Sequence, residues 1–273
     1  MRSSRADDGL EYLAAIEGAR PRLGPLASTF VFLPAAASTN DVALARCEDR
    51  ADAGADPHGL VVVADEQTAG RGRRGHTWFS PPRAGLYVSV VLAPASARVD
   101  PPRATTLVTL TAGVALAEAV AAATGLAVDL KWPNDLCVAR RKLGGILAER
   151  ASEAHVVVGY GINVAASAFP PALRDRATSL ESETGRAIDR IQVLVETLAA
   201  LARRYDDLLA GRFDAILDAW RAHAPAADGA RVAWTTNAGA MSGVTAGIDD
   251  QGALRVRTGD RVERIVAGEV KWL

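Results

Sequence analysis

Apolar residues recur along this chain in two rhythms. Residues 29–34 (TFVFLP) and 59–64 (GLVVVA) are short β-branched and aromatic runs, and the second is apolar throughout, as in a strand buried on both faces. Residues 86–92 alternate instead, with Leu86, Val88, Val90 and Leu92 on one face. Ser38-Thr39-Asn40-Asp41 offers an N-cap to a short helix through Val42, Ala43 and Leu44. Pro101-Pro102 opens a long helix with the stripe Leu107, Leu110, Val114, Ala117 and Ala121, closed by Gly125. Strands are expected at 128–131, 145–149 and 156–164, and residues 187–222 read as helical, with Ile188, Ile191, Leu194 and Leu198 on one face. Beyond residue 229 the pattern shortens to GARVAW, GVTAGI, ALRVRT and RIVAGEV, strands separated by turn residues such as 249–252. The pattern therefore predicts an α+β domain over 29–225 and a compact β module over 226–273. Residues 1–28 are expected to be a weakly ordered extension with a helix near 11–19.

Composition narrows the classes without naming a reaction. Of 273 residues, 49% are hydrophobic and 23% charged, the balance of a globular protein with a large core. Lys and Arg number 31 against 32 Asp and Glu, so no basic excess points to nucleic acid as a partner. Cys47 and Cys137 lie far apart without metal-ligand spacing, which predicts free thiols in a reducing cytoplasm. The N-terminus MRSSRADDGLEYLAAI carries early acidic residues and no apolar core segment, against secretion. The apolar stretches are diluted with alanine and read as too short for a membrane span, which needs about 20 residues.

Candidate chemistry concentrates in Gly70-Arg71-Gly72-Arg73-Arg74-Gly75. It satisfies the GxGxxG dinucleotide pattern, but His76-Thr77-Trp78-Phe79-Ser80-Pro81-Pro82 follows, where that fingerprint requires a helix. A P-loop fails too, because His76 stands where its lysine belongs. A basic RNA-binding loop with Trp78 and Phe79 as stacking rings is isolated in a chain of neutral balance, and a plain solvated turn seldom interleaves three glycines with three arginines. The composition favours a mobile loop that wraps a small anion: glycine frees the backbone to approach, and guanidinium forks bind carboxylate or phosphate.

A second basic site follows the strand at 128–131. Lys131-Trp132-Pro133-Asn134-Asp135 turns at proline, and Lys142-Leu143-Gly144-Gly145 enters the next strand, so a hairpin carries a lysine on each side. Either lysine alone reads equally well as an ordinary surface residue. The paired glycines behind Lys142 indicate close approach of a ligand to the backbone. Asp135 fits a metal ligand, a base or a turn residue equally.

Five segments occur in order: ASTNDVALA, VVADEQTAGRGRRGHTWFSPP, LKWPND, RKLGGILAE and VVVGYGINV. Together they resemble the biotin–protein ligase family over roughly residues 30–273. The resemblance implies a catalytic domain like that of class II aminoacyl-tRNA synthetases, followed by a small SH3-like β-barrel. It also implies formation of biotinyl-5′-AMP from biotin and ATP with Mg²⁺, then transfer to a lysine of a biotin carboxyl carrier protein. By the same resemblance Ser38, Thr39, Asn40 and Gln67 would bind biotin, and Gly70, Arg71, Gly72 and Arg73 would fold over it. Lys142 would reach the biotin carboxylate and the α-phosphate. Trp78, Lys131, Trp132, Asn134, Asp135 and Asn163 would line the nucleotide side. Arg71, Arg73 and Lys142 form the expected catalytic set; no metal ligand is assigned.

Members that double as repressors carry a helix-turn-helix domain ahead of the STN turn. The 37 residues before Ser38 are too few for it, so the monofunctional type is expected, as monomer or homodimer, with no nucleic-acid or membrane partner. A lipoate–protein ligase, with similar fold and chemistry, and a non-catalytic biotin sensor remain the rival readings. His58, His76, His155 and His223 are scattered, so no nucleophile–base pair is expected.

Overall fold

The computed structural model describes residues 5–236 and 239–273; residues 1–4 and 237–238, which touch the expected N-terminal extension and β module, lie outside the described residues. In chain order the elements are α1 (Arg5–Gly18), α2 (Arg20–Leu23), β1 (Thr29–Leu33), α3 (Thr39–Asp52), β2 (Leu60–Ala64), β3 (Gly85–Leu92), α4 (Pro101–Thr124) and β4 (Asp129–Lys131). There follow β5 (Asp135–Val138), β6 (Arg141–Arg150), β7 (Val156–Asn163), α5 (Leu180–Thr184), α6 (Arg190–Leu209) and α7 (Phe213–His223). The chain ends in β8 (Asp228–Thr236), β9 (Gly239–Ile248), β10 (Leu254–Thr258), β11 (Arg261–Ile265) and β12 (Val270–Trp272).

The large sheet has seven strands in the order β1-β2-β3-β7-β6-β5-β4. Only β1 and β2 run parallel; every other pair is antiparallel. The strands β2, β3 and β7 are buried at every position, as their apolar runs require. Helix α4 begins at Asp100, whose carboxylate accepts from the Arg103 amide, and ends at Gly125 in the left-handed conformation. It is long and apolar enough to span a membrane, which corrects the sequence reading of short, diluted apolar stretches. Its Leu107, Leu110, Val114 and Leu116 are buried in the common core, so here it packs as a core helix.

Three further differences have simple causes. The region 187–222 is two helices, because Gly211 at φ 75° turns the chain between α6 and α7. The short strand β5 was not expected; it makes β4-β5-β6 a three-stranded meander, with Ala139 and Arg140 both at positive φ in the second turn. The segment 1–28, expected to be loosely ordered, carries α1 and α2 in its described part, with Tyr12, Ile16, Leu23 and Leu26 buried and Tyr12 stacked on Phe32.

The C-terminal strands form a five-stranded antiparallel sheet in the order β11-β10-β9-β8-β12. The expected barrel is thus an open sheet: β11 pairs only with β10 and β12 only with β8, so no ladder joins the ends among the described residues. One apolar cluster runs through both sheets, from Tyr12 through α4 to Val270. Gly252 lies against Leu107 and Leu110 of α4, and its carbonyl accepts from the Trp132 indole at 3.0 Å. Cys47 and Cys137 are free and buried, and burial pushes the Cys137 thiol up to about 12.

Arg190, at the start of α6, donates to Asp65 at 2.7 Å, and that carboxylate is only 5% exposed. Removing the guanidinium would strand a buried charge. Arg190→Met is expected to lower stability by about 3 kcal/mol, read as a reduced denaturant midpoint at neutral pH.

Candidate active site

A cleft opens between the centre of the large sheet and the C-terminal sheet. Its floor is backbone. Gly145 of β6 and Gly159 and Gly161 of β7 line it, and each leaves room that a neighbour fills. A Cβ on Gly159 would overlap the Asn40 amide, one on Gly161 the Trp78 indole, and one on Gly145 would crowd the end of Lys142. These glycines let the side chains of Asn40, Trp78 and Lys142 approach the sheet backbone closely.

One wall is the start of α3. Ser38 takes an extended N-cap conformation without a capping hydrogen bond from its side chain, and it lines the cleft. The Thr39 hydroxyl donates to Gln67 Oε1 at 3.1 Å, and its amide donates to the same oxygen at 2.8 Å. Gln67 Nε2 donates to the Ser80 hydroxyl at 2.9 Å. Asn40 Nδ2 donates to the Leu147 carbonyl at 3.2 Å and to Glu149 Oε2 at 2.7 Å, while its Oδ1 accepts from Ser89 at 2.5 Å. Thr39 and Asn40 thus commit their side chains to the protein, and Ser38 presents the less committed hydroxyl.

The glycine–arginine segment forms the roof. It is closed as a hairpin by Gly72 donating to the His76 carbonyl at 2.7 Å and Trp78 donating to the Gly70 carbonyl at 2.8 Å. Arg73–Gly75 is a single 3₁₀ turn with Arg74 left-handed, so no helix follows the third glycine and the dinucleotide and P-loop readings fall. The mobile anion loop expected from composition is, in this structure, a closed hairpin. Arg71 forks onto Glu149 at 2.9 and 2.7 Å and reaches Asp41 at 2.7 Å. Arg73 donates to Asn134 Oδ1 and to the Gly268 carbonyl, both at 3.4 Å. Burial lowers its pKa from the ordinary arginine value, opposed by the Asp135 carboxylate.

The third cation enters from β6. Segment 176–178 pairs with the backbone of Lys142: its amide donates to the Arg176 carbonyl, and its carbonyl accepts from Thr178. Its ammonium lies 2.6 Å from Asp135 Oδ1 and 5.5 Å from the centre of the Trp78 ring. Asn134 Nδ2 donates to the Ile146 carbonyl at 2.7 Å, pinning the turn that carries Asp135.

The structure therefore brings Ser38, Thr39, Asn40, Gln67, Arg71, Gly72, Arg73, Trp78, Lys131, Trp132, Asn134, Asp135 and Lys142 around one cleft. Two expected residues are not among those lining it. Asn163 is buried and donates to the Thr178 carbonyl, so it anchors the segment behind Lys142. Gly70 is packed under Trp78 and Ser80, where a Cβ would strike the Trp78 carbonyl. Lys131 divides its attention, with its ammonium 4.9 Å from the centre of the Trp272 ring.

Sequence reasoning missed Tyr160, Gly159, Gly161 and the C-terminal residues Gly268, Glu269 and Val270. The alternating glycines of VVVGYGINV were the available signal for the floor. The tail gave none, because its contribution depends on how the small sheet docks.

A Ser-His-Asp chain does exist elsewhere. Ser152 lies 3.1 Å from His155 Nδ1, and His155 Nε2 lies 2.9 Å from Asp56. It sits on an exposed turn, and the Ser152 oxygen accepts from the amides of Ala154 and His155, which makes it a brace for the turn.

Residues 36–163 match the Biotin/lipoate A/B protein ligase family, and residues 229–271 match the Biotin protein ligase C terminal domain. The biotin--[acetyl-CoA-carboxylase] ligase of Mycobacterium tuberculosis is 36% identical over 251 residues, covering 86% of each chain. The chain belongs to the biotin protein ligase family. The bifunctional ligase/repressor BirA of Bacillus spizizenii is 37% identical over 221 residues, 79% of this chain and 66% of the relative; the chain thus spans just under two thirds of that protein's length. Among solved structures, biotin protein ligase from Aquifex aeolicus in complex with biotin and ATP superposes with a TM-score of 0.76 at 28% identity. That match covers 90% of this family member and 99% of the Aquifex chain. Nine tenths of the chain therefore shares the architecture of a biotin protein ligase.

Proposed function

We propose that this chain joins biotin to ATP as biotinyl-5′-AMP and then transfers the biotinyl group to a lysine ε-amine of a biotin carboxyl carrier protein. The observation that carries the reading is the convergence of Arg71, Arg73 and Lys142 on one cleft walled by the Ser38–Asn40 turn and Gln67. The Mycobacterium tuberculosis ligase and the Aquifex complex with biotin and ATP support the same substrates.

In the first step a biotin carboxylate oxygen bonds to the α-phosphorus and pyrophosphate leaves. Bringing a carboxylate to a triphosphate is repulsive: at about 4 Å and an effective dielectric near 20, each unit charge pair amounts to about 4 kcal/mol. Arg73 and Lys142 offset that repulsion and stabilise charge developing at the transferring phosphorus. Each already rests against acceptors, Lys142 on Asp135 and Arg73 on Asn134 and Gly268, which aim them into the cleft. Ser38 and the neighbouring Gln67 offer polar groups to the biotin head. Trp78 packs closely against Gly161 with its indole N–H lacking a partner among the described residues, and it supplies a ring beside Lys142.

Among the described residues no three His, Cys, Asp or Glu side chains cluster as a metal site. Mg²⁺ binds through one or two carboxylates plus phosphates and water, so Asp135 fits an ion that enters on ATP. The ion would neutralise phosphate charge there. In the second step the neutral amine bonds to the acyl carbon, AMP leaves, and a proton is lost from nitrogen. No nucleophile from this chain is required.

The mixed anhydride must be shielded from water until the acceptor arrives, and the roof hairpin is placed to do this. Arg73→Gly removes its link to Asn134 and the C-terminal Gly268. The variant is expected to release biotinyl-5′-AMP and to label bystander lysines, read by blotting mixed proteins with streptavidin. Labelling confined to the carrier protein would refute the shielding role. A calorimetric titration tests the substrate itself: biotin should bind and lipoate should not.

A further inference from the structure

Glu149, on β6, lies behind Arg71 and is not itself among the residues lining the cleft. Its two oxygens take both terminal nitrogens of Arg71 at 2.9 and 2.7 Å, and Oε2 also accepts from Asn40 at 2.7 Å. Asn40 accepts from Ser89 in turn, and Ser89 lies 2.8 Å from the Thr39 hydroxyl. Thr39 donates to Gln67, Gln67 to Ser80, and Ser80 to the Trp78 carbonyl at 3.1 Å. A continuous polar chain therefore starts at Arg71, at one end of the roof hairpin, passes through the Ser38–Asn40 turn, and ends at Trp78, at the other. Among the described residues, Glu149 is the one carboxylate that grips both Arg71 and a side chain of the ligand-binding turn. Asp41, the residue after Asn40, adds a second, half-exposed carboxylate on Arg71 at 2.7 Å.

We propose that Glu149 is a positioning residue for the biotinylation reaction: by gripping Arg71 and Asn40 together it sets the pose of the roof hairpin over the ligand-binding turn. It rests on the function proposed above for its meaning in catalysis, though not for its geometry. Arg71 in this arrangement acts first as a tether, and its fork is already shaped for a carboxylate.

The test uses the full chain without ligand. Glu149→Gln keeps an acceptor for Asn40 and removes the charge from Arg71. Trypsin cleaves after arginine, so the rate of cutting at Arg71, Arg73 and Arg74 reports hairpin opening. That rate is expected to rise about five-fold, the size of effect for a partly exposed charged pair. Arg71→Gln should abolish cutting at its own site, yet speed cutting at Arg73 and Arg74 to the same degree. The double variant should cut there no faster than either single one. With ligands present, Glu149→Gln should raise KM for biotin several-fold and leave kcat for adenylate formation nearly constant, and Glu149→Asp should recover part of the loss.

Unchanged cutting in Glu149→Gln, or strictly additive effects in the double variant, would overturn the latch. If Glu149→Gln unfolds, the Arg71→Gln result decides alone: unaltered cutting at Arg73 and Arg74 overturns it. Faster, non-additive cutting combined with no biotin turnover by the parent chain would leave the latch standing and the proposed function failed.

Discussion

Lys142→Ala is expected to reduce biotinyl-5′-AMP formation by about a thousandfold, the scale of losing one well-placed charged donor to a developing anion. The effect should fall on kcat for pyrophosphate release more than on KM for biotin, because in the proposed reaction the ammonium would face the group whose charge grows. The fold should survive. Lys142 is held by its backbone, through Arg176 and Thr178, and among the described residues its ammonium pairs with the partly exposed Asp135 alone. A thermal midpoint near that of the parent would accompany the loss. Undiminished pyrophosphate release would remove Lys142 from the chemistry.

Gly159→Ala carries the second large effect, from a methyl group that adds no charge. Gly159 sits in the middle of β7, paired with Ser89 on one side and Leu147 on the other, so the strand has no freedom to move aside. The added Cβ would overlap the Asn40 amide. Asn40 is itself buried and has to leave Ser89 and Glu149 to make room. Two hydrogen bonds lost at about 1–2 kcal/mol each correspond to roughly a hundredfold weaker binding of biotin at the turn. Calorimetry with biotin checks this, and binding at parental strength would show that the Asn40 network does not shape the pocket.

Much of this arrangement was legible in the sequence because it is local. The β-branched run at 59–64, the stripe after Pro101-Pro102 and Gly125 at its end each describe an element that needs no partner to be recognised. The two basic segments were legible for the same reason, since glycines beside arginines or lysines mark backbone that a ligand approaches. What escaped was non-local. Asn163, expected on the nucleotide side, is buried and donates to the Thr178 carbonyl, a partner that no spacing in VVVGYGINV points to. The strand β5 is four residues long and holds its place by pairing with β4 and β6. Gly268 and Glu269 reach the cleft only because the small sheet docks through Trp132 and Gly252. The pairing of Arg71 with Glu149 spans 78 residues, and no spacing rule connects them.

The account depends on Arg73 and Lys142 serving an acid group that attacks ATP. Exchange of labelled pyrophosphate into ATP measures that step alone, without an acceptor protein. Biotin should drive the exchange in the parent chain, lipoate should not, and Lys142→Ala should abolish it. Exchange that proceeds without biotin, or equally well with lipoate, would contradict the assignment.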